Sequence, residues 1–238
     1  MIDQDAIDEV FPFNPLKQVA FEIRYPFNLQ VQRDLCVVQK KLKDTYPKFQ
    51  KDEIELIEGS LAKLYTFWNV EGTRSIRIGE DRLIILFTKY ETFELFQAEA
   101  LQLTKEVCNL FEITHCQRVG LRYVNNIEVP REGLTYKITN FINPFFDIKR
   151  ATQTGPMKFS LEVTMKKPGC LITLRTAFSG KPPDQPGAVY LLDLDAYVLS
   201  DCPLEDLRKT SAELHHQIQL EFLSHITAEY KKVMRGQS

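Results

Sequence analysis

Several signatures are missing from this sequence, and each absence narrows what the protein does. Charge of one sign is not in excess. Among 238 residues, 30 Lys and Arg face 32 Asp and Glu, a formal net charge of −2. That balance supplies no global pull toward nucleic acid or an anionic membrane. No apolar run reaches the roughly 18–20 residues that a membrane-spanning helix needs. The start, Met1-Ile2-Asp3-Gln4-Asp5, is acidic and lacks the basic-then-apolar pattern of a secretory signal, so a cytoplasmic location is expected. The cysteines Cys36, Cys108, Cys116, Cys170 and Cys202 are odd in number and contain no C-x-x-C pair. A disulfide framework is therefore not expected, nor is a zinc knuckle, which needs close cysteine pairs. Reduced and mostly buried thiols are expected instead. There is no G-x-G-x-x-G, no P-loop and no G-x-S-x-G elbow. His115 and Cys116 are adjacent, which on a strand points them to opposite faces and disfavours a dyad. No catalytic residue, cofactor or metal ligand set is expected.

What is present reads as alternating strands and helices. Residues 1–16 form an acidic, then Pro/Phe/Asn-rich extended arm. Lys17 to Tyr25 alternates like a strand and stops at Pro26. Val31, Leu35, Val38 and Leu42 recur at helical spacing between Leu29 and Thr45. Strands are predicted at 52–57, 61–70, 74–78 and 82–90, with Gly59-Ser60, Glu71-Gly72 and Gly79-Glu80-Asp81 as turns between them. Thr92 is placed to cap a helix running to Phe111, whose stripe is Phe96, Ala100, Leu103, Val107 and Leu110. A long strand over 116–129, a short helix near 134–142 and strands at 157–166, 170–178 and 188–199 follow. The Pro/Gly-dense stretch Ser179 to Gly187 reads as a hairpin loop, and no Gly/Ser linker divides the chain. One helix is predicted from 203 to 234, with Leu207, Leu214, Ile218, Phe222, Ile226 and Val233 inward.

The halves share a plan. Phe21-Glu22-Ile23-Arg24-Tyr25 resembles Val119-Gly120-Leu121-Arg122-Tyr123, and each is followed by a helix, a meander and a long helix. The expected fold is α+β, an antiparallel sheet with helices on one face, built from a duplicated β-α-β(3–4)-α unit like the TATA-binding-protein saddle. The expected organisation is an arm, 1–16, then one domain, 17–238, of two pseudo-repeats, 17–114 and 115–238. A single helix-grip sheet is the alternative.

Period-two alternation puts Leu191, Asp193, Asp195 and Tyr197 on one face of their strand, and Leu192, Leu194, Ala196 and Val198 on the other. Carboxylates two apart on a strand lie about 7 Å from each other, a spacing suited to a ligand, a metal or an acid/base pair. Arg24 and Arg122 occupy matching places in the two halves and are candidates to neutralise them. Arg24, Arg122, Asp193 and Asp195 are thus the candidate ligand-binding residues, and a structural ion-pair network is the competing reading. His215 and His225 are ten residues apart and out of phase for a shared metal, while Glu221 and His225 form an i, i+4 pair. Basic clusters at Lys40-Lys41-Leu42-Lys43, Lys166-Lys167 and Lys231-Lys232 are small and mixed with acids, unlike the dense stripe that phosphate binding favours. Phe11, Phe13 and Leu16 sit in an extended, Pro-punctuated segment able to dock on a neighbour or on the chain's own sheet. The aromatic stretch Asn140 to Phe146 is suited to cap a core or line a pocket.

Several stretches resemble a sporadically distributed bacterial protein family without an established activity. They are Pro15 to Tyr25, Tyr46-Pro47, Phe67-Trp68, Arg118 to Asn125, Leu191 to Asp195, and Leu214-His215 leading to Phe222 and Ile226-Thr227. The resemblance implies no catalytic residue, cofactor or ligand, and its patchy distribution implies a mobile-element or defence association. The expected function is a non-catalytic interaction or scaffold protein with a protein partner or self-association. A small-molecule or nucleotide sensor and a nucleic-acid-binding saddle are the alternatives.

Overall fold

A computed structural model describes residues 11–55, 61–132, 135–144, 158–180 and 187–237. In chain order the strands are β1 (Leu16–Arg24), β2 (Lys48–Glu55), β3 (Leu61–Trp68), β4 (Arg74–Ile78), β5 (Arg82–Phe87), β6 (His115–Cys116), β7 (Arg118–Val129), β8 (Arg131–Glu132), β9 (Thr135–Tyr136), β10 (Lys158–Lys167), β11 (Cys170–Gly180), β12 (Ala188–Val198) and β13 (Cys202–Pro203). The helices are α1 (Gln30–Leu42), α2 (Phe93–Leu110), α3 (Ile138–Phe141), α4 (Leu207–His225) and α5 (Ala228–Met234). The class is α+β, with a large antiparallel sheet and helices. No helix among the described residues is long and apolar enough to cross a membrane.

Two compact units make up the chain. The central unit comprises Gln18–Arg122 and Tyr197–Leu214, and the terminal unit comprises Met1–Lys17, Tyr123–Ala196 and His215–Ser238.

In the central unit the strand order is β1-β5-β4-β3-β2, all antiparallel. The register places Phe21, Ile85, Ile76, Phe67 and Phe49 in one row across the sheet. The side bearing that row is the one that meets α2. Phe87 packs edge-on against Phe96, with centroids 5.1 Å apart, and Arg74 Nη1 reaches Glu99 Oε2 at 2.7 Å. Tyr46, just after α1, donates to the same Glu99 at 2.9 Å. The cap on α2 is as predicted: Thr92 Oγ1 accepts from the Leu95 N–H at 3.3 Å. The β3–β4 turn is wound around Asn69, whose Oδ1 accepts from the N–H groups of Thr73 and Arg74 at 2.8 and 2.9 Å. Gly72 sits there at φ +71°, a backbone that glycine adopts without steric penalty.

In the terminal unit the order is β10-β11-β12-β7. Ile172, Leu174 and Phe178 of β11 are buried with Leu192, Leu194 and Ala196 of β12. Helix α4 packs on this side, since Tyr123 Oη meets His215 Nδ1 at 2.8 Å and Lys167 Nζ meets Glu221 Oε2 at 2.5 Å. The arm folds onto its own chain: the Phe13 N–H donates to the Met234 carbonyl at 3.1 Å.

Three expectations need correction. The helix expected over 203–234 is interrupted. After a 3-10 turn at Leu204–Asp206, α4 ends at His225 and Thr227 caps a new helix, accepting from the Tyr230 N–H at 3.2 Å. Ile226 instead bridges to Ile142, and Asn143 Nδ2 donates to the carbonyls of Ser224 and Ile226 at 3.2 and 3.3 Å. The interruption resets the helical phase, so Tyr230 and Met234 are buried and Val233 is half-buried; within α4 itself Leu223 is buried and Phe222 half-buried. Among the described residues between 134 and 142 only α3 is helical, and the strands β8 and β9 precede it. Strand β2 begins at Lys48, before the expected 52. Residues 1–10, the Gly59-Ser60 turn, Phe145-Phe146 and most of the 179–187 loop lie outside the described residues.

Candidate binding surface

Strand alternation gives each unit a second sheet face, turned away from its helix. In the central unit this face carries Ala20, Glu22 and Arg24 of β1. Their register partners are Leu86, Ile84 and Arg82 of β5, followed by Ser75 and Arg77 of β4 and then Trp68 and Thr66 of β3. Two arginines, Arg24 and Arg82, are therefore directly opposed, an arrangement that is unfavourable unless each has a counter-ion. Both have one. Arg82 makes a two-pronged bond to Asp81, 2.8 Å at each oxygen, and Arg24 Nε lies 2.5 Å from Glu22 Oε1. The fork to Arg82 lowers the Asp81 pKa and raises that of Arg82. Tyr25, at the end of the same strand, donates to the carbonyls of Gly79 and Arg82 at 2.7 and 3.0 Å. Burial pushes its phenol far above the usual range, so it stays a donor.

Arg118 on β7 adds a fourth arginine to this face. Its Nη1 lies 3.2 Å from Glu22 Oε2, and its guanidinium carbon sits 4.5 Å from the ring centre of Tyr197. The side chain is only 7% exposed. It lies flat on the sheet because the residue beneath it is Gly120: a Cβ there would be 2.4 Å from Arg118 Nη1 and 2.9 Å from Cζ. A side chain at this position would therefore displace the guanidinium. Arg77, on β4, holds its guanidinium 5.8 Å from the Trp68 ring centre. Its Nε, and the hydroxyl of Ser75 two residues earlier, are buried without a hydrogen-bond partner.

In the terminal unit the matching face is organised by Arg175 of β11. Its Nε bonds Glu162 Oε2, its register partner on β10, at 2.7 Å. Its Nη1 lies 3.9 Å from Asp193 Oδ2 and 4.0 Å from Asp195 Oδ2 on β12. Asp193 is 3% exposed and Asp195 17%. The face shared by Asp193, Asp195 and Tyr197 is as alternation predicts. Within this unit Arg175 is a cation that faces both carboxylates. Arg24 pairs with Glu22 instead, and Arg122, half-buried on β7, lies on the same strand as Arg118. Arg118 and Arg175 were not singled out by sequence reasoning. R-x-G spacing on a strand was the available signal for Arg118; for Arg175 it was the shared phase with Thr173 and Ala177.

The remaining candidates are placed as follows. His225 is buried on α4, with Nδ1 at 2.9 Å from the Glu221 carbonyl and 3.5 Å from Glu221 Oε1. Among the described residues no cluster of His, Cys, Asp and Glu is arranged to hold a metal. In the arm, Phe11 stacks under Arg235 at 5.9 Å, Phe13 is largely exposed with its ring edge at Gly236, and Leu16 begins β1. A cavity of about 560 Å³ in the central unit is lined by Pro26–Gln30 and Glu112–His115, with Phe27 and Leu29 exposed at its rim. No family model matches the chain, and no curated protein matches it.

Proposed function

We propose that the chain is a non-catalytic interaction protein that grips an acidic protein partner with the face of its central-unit sheet turned away from α2. One observation carries this reading: Arg24, Arg77, Arg82 and Arg118 converge on one sheet face beside Trp68, with Glu22 and Asp81 as described counter-charges. Arginine and aromatic side chains are the residues that interfaces concentrate as anchors. The acids interleaved among them favour a stereospecific protein contact over a run of phosphates, which calls for an unbroken basic stripe. A small anionic ligand is the second reading. It is favoured by Ser75 Oγ and Arg77 Nε, buried two residues apart without hydrogen-bond partners, which a carboxylate or phosphate oxygen would satisfy.

The duplication, 17–114 with 115–238, and its saddle architecture belong to the same proposal. Their support is that β1 lies beside β5 and β7 beside β12, so each opening strand joins the last strand of its own meander. Membership of the sporadic bacterial family and a cytoplasmic location are proposed with it. The nesting of Arg118 on Gly120 gives the Arg118-to-Asn125 motif a physical reason.

Native mass spectrometry of the gently purified protein tests the function, with the 260/280 nm absorbance ratio recorded for wild type and for an Arg24→Glu/Arg77→Glu variant. A second polypeptide held by wild type and lost from the variant supports the reading. A small mass increment lost from the variant transfers support to the ligand, and a high absorbance ratio to nucleic acid. Identical spectra of bare protein from both overturn it.

A further inference from the structure

We infer that Cys116 and Cys202 are a redox modification site, closing to a reversible disulfide when the protein meets a hydroperoxide or a low-molecular-weight disulfide. The two residues are direct register partners where β6 meets β13 in the central unit. Opposed residues of an antiparallel pair have Cα atoms about 4.5–5.5 Å apart, inside the window of about 4.4–6.8 Å that a disulfide requires. The Cys116 thiol already lies over its partner residue, donating to the Cys202 carbonyl at 3.3 Å. Cys202 Sγ lies 3.6 Å from the Pro203 carbonyl and 3.8 Å from Thr210 Oγ1. Both cysteines are free thiols in this structure. No register partner places Cys36, Cys108 or Cys170 opposite another cysteine among the pairings described.

Exposure sets the order of events. Cys116 is fully buried, and burial pushes its thiol up to about 12. Cys202 retains 6% exposure and is the sulfur a small oxidant meets first. With a hydroperoxide, the Cys202 thiolate attacks the terminal peroxide oxygen. An S–O bond forms, the O–O bond breaks, and the alkoxide leaves with a proton as alcohol. Cys116 then attacks the sulfenic sulfur. The S–S bond forms, the S–O bond breaks, and hydroxide takes the Cys116 proton to leave as water. Two thiols are oxidised and one peroxide is reduced. The staple would join two segments 86 residues apart, tying the start of α4 to the entry of β7. Long closed loops gain most from such a link in the chain-entropy account.

The test uses the full chain carrying Cys36→Ser, which removes the exposed thiol. Treated with hydrogen peroxide, it is expected to lose 2 Da, to fall from four alkylatable thiols to two, to yield one peptide pair linking Cys116 with Cys202, and to melt several degrees higher. Dithiothreitol should reverse all four changes. Adding Cys202→Ser should abolish the 2 Da loss. An unchanged thiol count, a link through Cys108 or Cys170, or irreversible gain of oxygen in place of the link overturns the inference. If the Cys202→Ser protein fails to fold, the peptide map of the Cys36→Ser protein alone decides.

Discussion

Gly120→Ala is the substitution that most directly tests how the arginine face is built. In sequence it is the mildest of changes, and on an ordinary strand alanine would gain about 0.5–1 kcal/mol over glycine. Here the new methyl carbon would stand 2.4 Å from Arg118 Nη1, 2.9 Å from Cζ and 3.1 Å from Nη2. The guanidinium must lift. It is held by Glu22 at 3.2 Å and by the Tyr197 ring at 4.5 Å, so lifting lengthens both contacts. A partly desolvated cation–π contact is worth about 0.5–2 kcal/mol. Removing the partner of a buried charge costs about 3–5 kcal/mol, an upper limit here because Glu22 stays in place. Allowing for the alanine gain, the net loss should be about 2 kcal/mol, roughly thirtyfold in the folded-to-unfolded ratio. The single tryptophan, Trp68, lies on β3 of the same unit, so its fluorescence reports urea unfolding there. The change should appear as a lower midpoint at unchanged slope. In an Arg118→Met background the methyl has no guanidinium to displace, and the same substitution should be neutral or stabilising. An equal cost in both backgrounds, or no cost in wild type, would refute the nesting argument.

Three further outcomes follow from the same geometry. Arg175→Met removes a cation that bonds Glu162 and lies 3.9 Å from Asp193, and should lower stability by about 1 kcal/mol in thermal or urea unfolding; adding Asp193→Asn should recover part of it. Asn69→Ala strips the acceptor from two turn N–H groups and should cost about 1–3 kcal/mol, read by Trp68 fluorescence. On the alkaline side, burial raises Cys108 and Cys116 from 9.0 to about 12. The native state holds these protons above pH 9 while the unfolded chain releases them, so stability is fully present below pH 9 and falls as pH rises toward 12. The slope should approach about 1.4 kcal/mol per pH unit for each thiol. Cys108→Val should flatten that slope, and an unchanged alkaline profile would count against the assigned burial.

Local patterns made much of the fold legible. Thr92 and the stripe from Phe96 to Val107 announce α2, because cap and periodicity are properties of one short window. The strands around Gly72 and Gly79 are legible for the same reason. The interruption after His225 was not. Ile226 continues the helical stripe, and what stops α4 is Asn143 and Ile142 arriving from elsewhere in the chain. The candidate site divides in the same way. Alternation places Asp193, Asp195 and Tyr197 on one face, since that needs only period two. Which arginine meets which carboxylate depends on strand order and register. Arg175 reaches Asp193 because β11 neighbours β12, and Arg118 reaches Glu22 over a glycine whose smallness matters only once the guanidinium lies on it.

The bond from the Phe13 N–H to the Met234 carbonyl, with Phe11 under Arg235 and Phe13 against Gly236, has a topological meaning. It makes the path of the chain a nearly closed ring, in which the backbone leaving α5 passes beside the backbone entering β1. A ring has no privileged opening. A permuted chain, joined across this seam and cut at the exposed Gly169 turn between β10 and β11, should retain the same pairings. Probes attached at Phe11 and at Arg235 would therefore report on a single spot rather than on opposite sides of the unit.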